Sequence, residues 1–407
     1  MTDLHEPTRD WATDFDHTSD DYAASAPEIW DDLRERCPVA HGDAHGGVWF
    51  PTKHADVSAI AHDTESYSSE GVIVSVFKPD GSLAPMGYAP PITADPPFHA
   101  DSRRILLSAF SPKAVDRLEE ATRATCKKLL DELLADGATS FDAAVAYTQH
   151  IPVRVIAHML GVPEADGDRF RVFIHRILEK PGTYNAHLAP EDTLVYYIDQ
   201  TMRQRREAPP QDDLIGYLMS YRDEDGNPLP DEQIFGSIGL LIIAGIDTTW
   251  SAIGASLWHL ATHPEDRRRL VEEPELMPFA VEEFLRFYAP VTMARIAKVD
   301  TEIGGCPVKA RDWVLLPFPA ANRDPEAFED ADRFIIDRQR NRHLAFGLGV
   351  HRCAGSNLAR MELRVALEEW LARIPEFELA DTETVRWATG QVRGPRELPV
   401  RIPTQES

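Results

Sequence analysis

The sequence predicts a mainly α-helical protein with a minor β region. One segment is long, helical in pattern and apolar on nearly every face, and amphipathic helical periodicity covers much of the remainder. Alternating, strand-like segments are short and fall into two groups. The first is "GGVWFPT" (46–52). "PKAVDRLEEATRATCKKLLDELLADG" (112–137) then reads as a surface helix, opened by Pro112 and stopped by Gly137, with Cys126 as packing. "DEQIFGSIGLLIIAGIDTTWSAIGASLWHLATHP" (231–264) runs from an Asp cap to a His-Pro stop and is expected to pass through the protein's centre. "ARIAKVDTEIGGCPVKARDWVLLPF" (294–318) predicts a hairpin around Gly304 and Gly305, with Cys306 structural. "AGSNLARMELRVALEEWLARI" (354–374) is helical, and "WATGQVRGPRELPVRI" (387–402) is extended.

At 407 residues without a repeat or low-complexity linker, the chain predicts one large domain over 26–402. The acidic stretch 1–25 lacks apolar periodicity and is expected to be flexible, with 403–407 a tail. No run approaches the roughly 20 apolar residues of a membrane span, and the amino terminus has no signal-peptide pattern, so a cytoplasmic protein without a membrane partner is expected. A net charge of −25 argues against nucleic acid as a general partner. Cys37, Cys126, Cys306 and Cys353 form no CxxC pair or finger spacing, which argues against zinc modules and disulfide frameworks.

One cysteine stands apart. In "AFGLGVHRCAGSNLARMEL" (345–363), Gly347, Gly349 and Gly355 bracket Cys353 immediately before a helix. Glycines there permit positive backbone angles and the close approach of a flat group. A helix amino terminus offers free N–H groups that lower a thiol's pKa and suit a metal-binding thiolate. The plainer reading is a small buried residue in a glycine turn.

Phe346, Gly349, His351, Cys353 and Gly355 together spell F-x-x-G-x-H-x-C-x-G, which resembles the axial-cysteine segment of the cytochrome P450 superfamily. Three more segments are similar to that family's motifs, in its order. "DPPFHADSRR" (95–104) resembles its haem-propionate segment, "AGIDTT" (244–249) its oxygen-binding helix motif, and "EFLR" (283–286) its E-x-x-R. The resemblance covers about residues 30–402 and matches the soluble bacterial type. It implies a large helical lobe, a small β-rich lobe and a long central helix over haem b.

Residue by residue, the resemblance makes Cys353 the axial iron ligand, with Phe346 beside its sulfur. His99, Arg103, Arg295 and His351 would hold the propionates, and Gly347 and Gly355 would shape the cysteine loop. Ala244 and Gly245 would leave room for O2. Asp247 and Thr248 would deliver protons, with Thr248 holding a water and Asp247 linking it to solvent. Glu283 and Arg286 would form a structural ion pair. The pocket is placed on 71–91 and 169–188, with Phe77, Tyr88, Leu240, Ile243, Ala244, Val291, Met293, Gln391 and Val392 as candidates, and Tyr88 and Gln391 as polar anchors. A small or medium lipophilic substrate follows.

The reaction implied is insertion of one atom of O2, giving hydroxylation or oxidative O-dealkylation. Electrons would come from a separate ferredoxin or flavodoxin with its reductase, NAD(P)H serving only through them. Arg104, Lys113, Arg342, Arg352, Arg360 and Arg364 are candidates for a basic docking face. A peroxygenase, a desaturating or coupling enzyme, or a haem sensor or carrier are the alternatives. Peroxide-driven enzymes typically replace the Asp-Thr pair, which is intact here.

Overall fold

A computed structural model of the chain describes residues 9–75, 78–83, 86–135, 137–179 and 188–403. The helices that build the site are α1 (Asp20–Arg36), α2 (Phe98–Leu107), α3 (Pro112–Leu134), α4 (His150–Leu160), α5 (Gly167–Ile174), α6 (Asp231–Thr262), α7 (Met277–Phe287) and α8 (Ser356–Arg373). The long apolar segment is α6, and it packs against both α4 and α8. It is the one helix among the described residues long and apolar enough to cross a membrane, and it is mostly buried inside the fold. Asp231 does not cap it, since the N-cap is Pro230; Asp231 instead pairs with Arg206 at 2.5 Å. A proline can stand there because the first helical N–H groups have no partner within the helix.

A five-stranded sheet has the order β1 (Val39–Gly42), β2 (Val48–Pro51), β5 (Trp313–Pro317), β4 (Thr292–Ala297), β3 (Tyr67–Ser68). Only the β2–β5 pair is parallel. The expected hairpin forms as Thr301–Ile303 against Cys306–Val308, with Gly304 and Gly305 at positive φ. The last extended segment contributes Pro395–Glu397 and Pro399–Arg401 to two smaller sheets. All four cysteines are free, and Cys126 is a buried packing residue.

The amino-terminal expectation needs correction for the residues described. Part of 9–25 packs against the sheet: Phe15 is 1% exposed and stacks on Phe50 with ring centroids 4.1 Å apart, while Asp10, Thr13, Asp14, Asp20 and Asp21 are exposed. Ser19 caps α1, which begins at Asp20. Residues 1–8 and 404–407 lie outside the described set.

Candidate functional site

The loop that carries Cys353 is shaped by two glycines. Gly347 and Gly349 both adopt φ of +64°, a region that strains side chains with a Cβ. At Gly349 a Cβ would also lie 2.6 Å from the Ala61 carbonyl oxygen, so the loop could not close onto the chain there. The Cys353 N–H donates to the Phe346 carbonyl at 2.7 Å, which folds the loop back before α8 starts at Ser356.

The loop is anchored from behind. Arg286 and Glu283 are fully buried and joined by two bonds of 2.8 and 2.7 Å. Arg286 also donates to the carbonyls of Asn322, Ala331 and Arg333, while Glu283 accepts from Arg338, Asn341 and the Ile335 N–H. Asn322 completes the connection, donating to the Arg286 carbonyl and accepting from the Leu344 N–H at 2.6 Å. Buried charges satisfied this fully fix one arrangement of the loop.

Cys353, Phe346, Gly347, His351 and Gly355 line one cavity of about 240 Å³, shared with His99, Arg103 and Arg295. The sulfur is open to this space. Burial pushes its thiol above the ordinary range; the Gly355 N–H and the charges of Arg103, Arg352 and Arg360 pull the other way without prevailing. The helix terminus therefore does not lower this thiol's pKa as expected, because desolvation of the anion outweighs one N–H. A bound metal cation would deprotonate a coordinating thiol outright.

Haem fits the remaining wall. Arg295 is 6% exposed and bonds only the neighbouring Ala294 carbonyl; among the described residues no carboxylate is in ion-pair contact with it, and Asp95 acts on it only from further away. Burial lowers it to about 10. His99 leaves a buried Nε2 without any partner. Its ring lies 4.3 Å from that of His351, whose own Nε2 meets the Ser69 hydroxyl at 2.9 Å. Burial, then Arg295, His99 and Arg103, drive His351 down to about 2. The buried Arg295 guanidinium, the half-buried Arg103, which also donates to the Arg352 carbonyl, and an orphaned imidazole nitrogen are a donor set for carboxylates, as the haem propionates are. Ser69 and its role beside His351 had no signal in the sequence.

On α6, Leu240, Ala244 and Thr248 follow one another at four-residue spacing and line the cavity together with Gly245. The Thr248 hydroxyl donates to the Ala244 carbonyl at 2.9 Å, and α6 runs through this motif as one helix. Gly245 has a packing reason to be glycine, since a Cβ would lie 2.5 Å from Ile156 of α4. Asp247 is fully buried and faces elsewhere. Its carboxylate pairs with Arg396, whose Nη2 donates to Oδ2 at 3.1 Å. Arg396 also donates to Ser251 and to Glu179 at 3.0 and 2.5 Å, and Glu179 meets half-exposed His175 at 2.7 Å. Burial raises the Asp247 carboxyl above its ordinary value, although Arg396 opposes it. Asp247 Oδ1 lies 2.8 Å from the same Arg396 Nη2, within the ion pair. A chain of polar contacts thus leads from Asp247 through Arg396 and Glu179 to His175, and the sequence singled out neither Arg396 nor Glu179.

The pocket expectations divide. Leu240, Ala244, Val291 and Met293 line the cavity, joined by Ile92, Leu241 and Pro290. Ile243 does not, since it shares a helix stripe with Asp247 and packs into the core. Gln391 is 2% exposed and bonded to His17, Val392 bridges to Val291 from behind, and Tyr88 is 49% exposed, away from the wall. Phe77 lies outside the described residues.

The docking expectations divide as well. Arg360 is clamped by Glu282, and Arg364 by Glu119 and Glu368. Arg104 pairs with Asp101. Lys113, Arg342 and Arg352 are exposed, with no ion pair to any described residue, and Arg340 joins them.

Known proteins share this sequence and geometry. The family model described as Cytochrome P450 matches residues 169–386. The mycinamicin IV hydroxylase/epoxidase of Micromonospora griseorubida is 36% identical, over 91% of this chain and 94% of its own. The vitamin D(3) 25-hydroxylase of Pseudonocardia autotrophica is 34% identical over 88% of each chain. The solved structure of a cytochrome P450 from Chondromyces apiculatus superposes with a TM-score of 0.83, at 32% identity, covering 97% of this chain and 100% of that one. With its helical lobe, its β-rich lobe and its open cysteine sulfur, this chain belongs to the cytochrome P450 family and is a haem-dependent monooxygenase.

Proposed function

We propose that the enzyme inserts one oxygen atom from O2 into a small or medium lipophilic substrate, by hydroxylation or oxidative O-dealkylation, with electrons from a separate redox partner. The observation that carries this reading is the single cavity into which both the Cys353 sulfur and the Thr248 stripe open, with unpaired Arg295 and His99 on its wall. Haem b, which Cys353 as a thiolate and Arg103, Arg295, His99 and His351 would hold, would supply the oxygen-activating chemistry that thiolate donation favours.

The chain's own part is binding and proton delivery. Leu240, Leu241, Val291, Met293, Pro290 and Ile92 give the substrate an apolar wall, where each Å² removed from water contributes about 25 cal/mol. Among the described residues neither expected polar anchor is on that wall, where shape and desolvation serve recognition. Thr248 gives its own proton to the Ala244 carbonyl, which leaves its oxygen free to accept from a water in the cavity. Asp247, its carboxyl raised by burial against the pull of Arg396, is suited to carry a proton towards that water.

Under ¹⁸O2 a hydroxylated product should carry one labelled oxygen atom, whereas in O-dealkylation the label should leave with the carbonyl fragment; a hydroxylated product labelled from water alone would overturn the reading. Thr248→Ala should still bind haem and substrate but yield at least about tenfold less product per electron consumed, the remainder appearing as peroxide. Product and peroxide are quantified against NAD(P)H, and unchanged yield contradicts the role given to Thr248.

For the partner, we infer an acidic ferredoxin or flavodoxin, reduced by its NAD(P)H-dependent reductase in the cytoplasm. What supports it is the exposed, unpaired set Lys113, Arg340, Arg342 and Arg352 on a chain of net charge −25. The double change Arg342→Glu with Arg352→Glu should lower the association rate with a reduced ferredoxin about tenfold at low salt, and less at high salt. Stopped-flow reduction against ionic strength measures it, and a salt-independent loss would point to another surface.

A further inference from the structure

Arg360 sits at a four-residue spacing from Arg364 that suggests a docking face, yet its side chain is used internally. Its Nε and Nη2 donate to the two oxygens of Glu282 at 2.5 and 2.8 Å. Nη1 lies 3.4 Å from the Ser356 carbonyl. The guanidinium plane lies over the Phe346 ring, 4.4 Å from its centroid. Three of its five N–H donors and one face of its plane are thus engaged within the fold, which a docking role alone does not account for.

The ring it covers belongs to the residue whose carbonyl accepts the Cys353 N–H, and both residues line the haem cavity. Arg360 thus sets a cation against the residue that closes the cysteine loop. Glu282 stays ionised beside it. Burial opposes its charge, but the bonds from Arg360 and then His343 outweigh burial and hold its carboxyl down at about 2. Arg360 and Glu282 are each 29% exposed, so solvent screens the pair in part without cancelling its field at the dry side of the ring.

We propose that Arg360, stacked on Phe346 and held by Glu282, is a positioning residue whose charge restrains electron donation by the Cys353 thiolate, with Glu282 as its electrostatic counterweight. This rests on Cys353 as the haem ligand. A cation beside the sulfur stabilises the more electron-rich, reduced state, and an anion destabilises it. Protein levers on haem potential of this kind act from beyond the ligand itself.

The two halves of the ion pair therefore have opposite effects, and that sign difference separates an electrostatic role from a structural one. Midpoint potentials are measured by spectroelectrochemical titration of the haem-loaded, substrate-free protein at pH 8. Arg360→Met should reduce the equilibrium constant for one-electron reduction about three- to tenfold, and Glu282→Gln should raise it by a similar factor; tenfold corresponds to 59 mV for a one-electron couple. Arg360→Lys should stay nearer the native value than Arg360→Met. Shifts of the same sign in Arg360→Met and Glu282→Gln, or no shift in either, overturn the proposal. If Arg360→Met fails to retain haem, the rise in Glu282→Gln and near-native Arg360→Lys decide it. A native protein lacking a thiolate-type carbon monoxide band would instead defeat the ligand assignment, a result distinct from any of these.

Discussion

Cys353→Ser is expected to leave a folded protein and to lose product formation by more than about a hundredfold. The substitution exchanges a soft thiolate donor for a poorly ionised alcohol, whereas changes beyond the ligand itself already cost about 10–100-fold. Little else should change, because the sulfur faces the cavity, and the loop is closed by the backbone bond from the Cys353 N–H to Phe346 and by the Asn322 contact with Leu344. Turnover with a saturating redox system, beside the urea midpoint of the same preparation, separates the two effects. A variant that retains normal turnover refutes the ligand assignment, and one with a much lower midpoint shows that the sulfur also holds the loop.

Glu283→Ala is expected to have the largest effect on stability. Glu283 and Arg286 are both fully buried, and Arg338, 8% exposed, meets the same carboxylate. Removing the anion leaves two shielded guanidiniums, the Asn341 amide and the Ile335 N–H without their acceptor. Breaking a buried pair from one side costs about 3–5 kcal/mol, a large share of the roughly 5–15 kcal/mol that keeps a domain folded. Because Asn322 links this cluster to Leu344, haem should also be lost more readily. Chemical unfolding and haem retention on gel filtration measure both. By contrast, Arg104→Ala breaks only the exposed pair with Asp101 and should cost less than about 1 kcal/mol. A loss below 1 kcal/mol for Glu283→Ala would contradict the account of how the cysteine loop is held.

Features readable in the sequence were local or motif-bound. Helix α6 announced itself by apolar residues on every face, and the hairpin by Gly304 and Gly305 between alternating strands. The residues around Cys353 fall together because their spacing already encodes one tight loop. What escaped depends on contacts distant in sequence. Phe15 and His17 have no helical or strand period, since they pack as irregular chain against Phe50 and Gln391. Arg360 and Arg364 look alike as a pair one turn apart; their partners, Glu282 and Glu119, lie 78 and 245 residues away. Arg396 reaches Asp247 across 149 residues. Within the pocket, four-residue spacing places Leu240, Ala244 and Thr248 together, and the same geometry turns Ile243 away beside Asp247. Sequence order alone suggested Gln391 and Val392, but each is buried behind the wall.

The central claim is that Cys353 binds haem iron as a thiolate. Its most direct test is the absorption spectrum of the purified, dithionite-reduced native protein with and without carbon monoxide. The account predicts a Soret band shifted far to the red on adding carbon monoxide. A folded, haem-loaded protein whose band stays in the range of imidazole-ligated haem would contradict it.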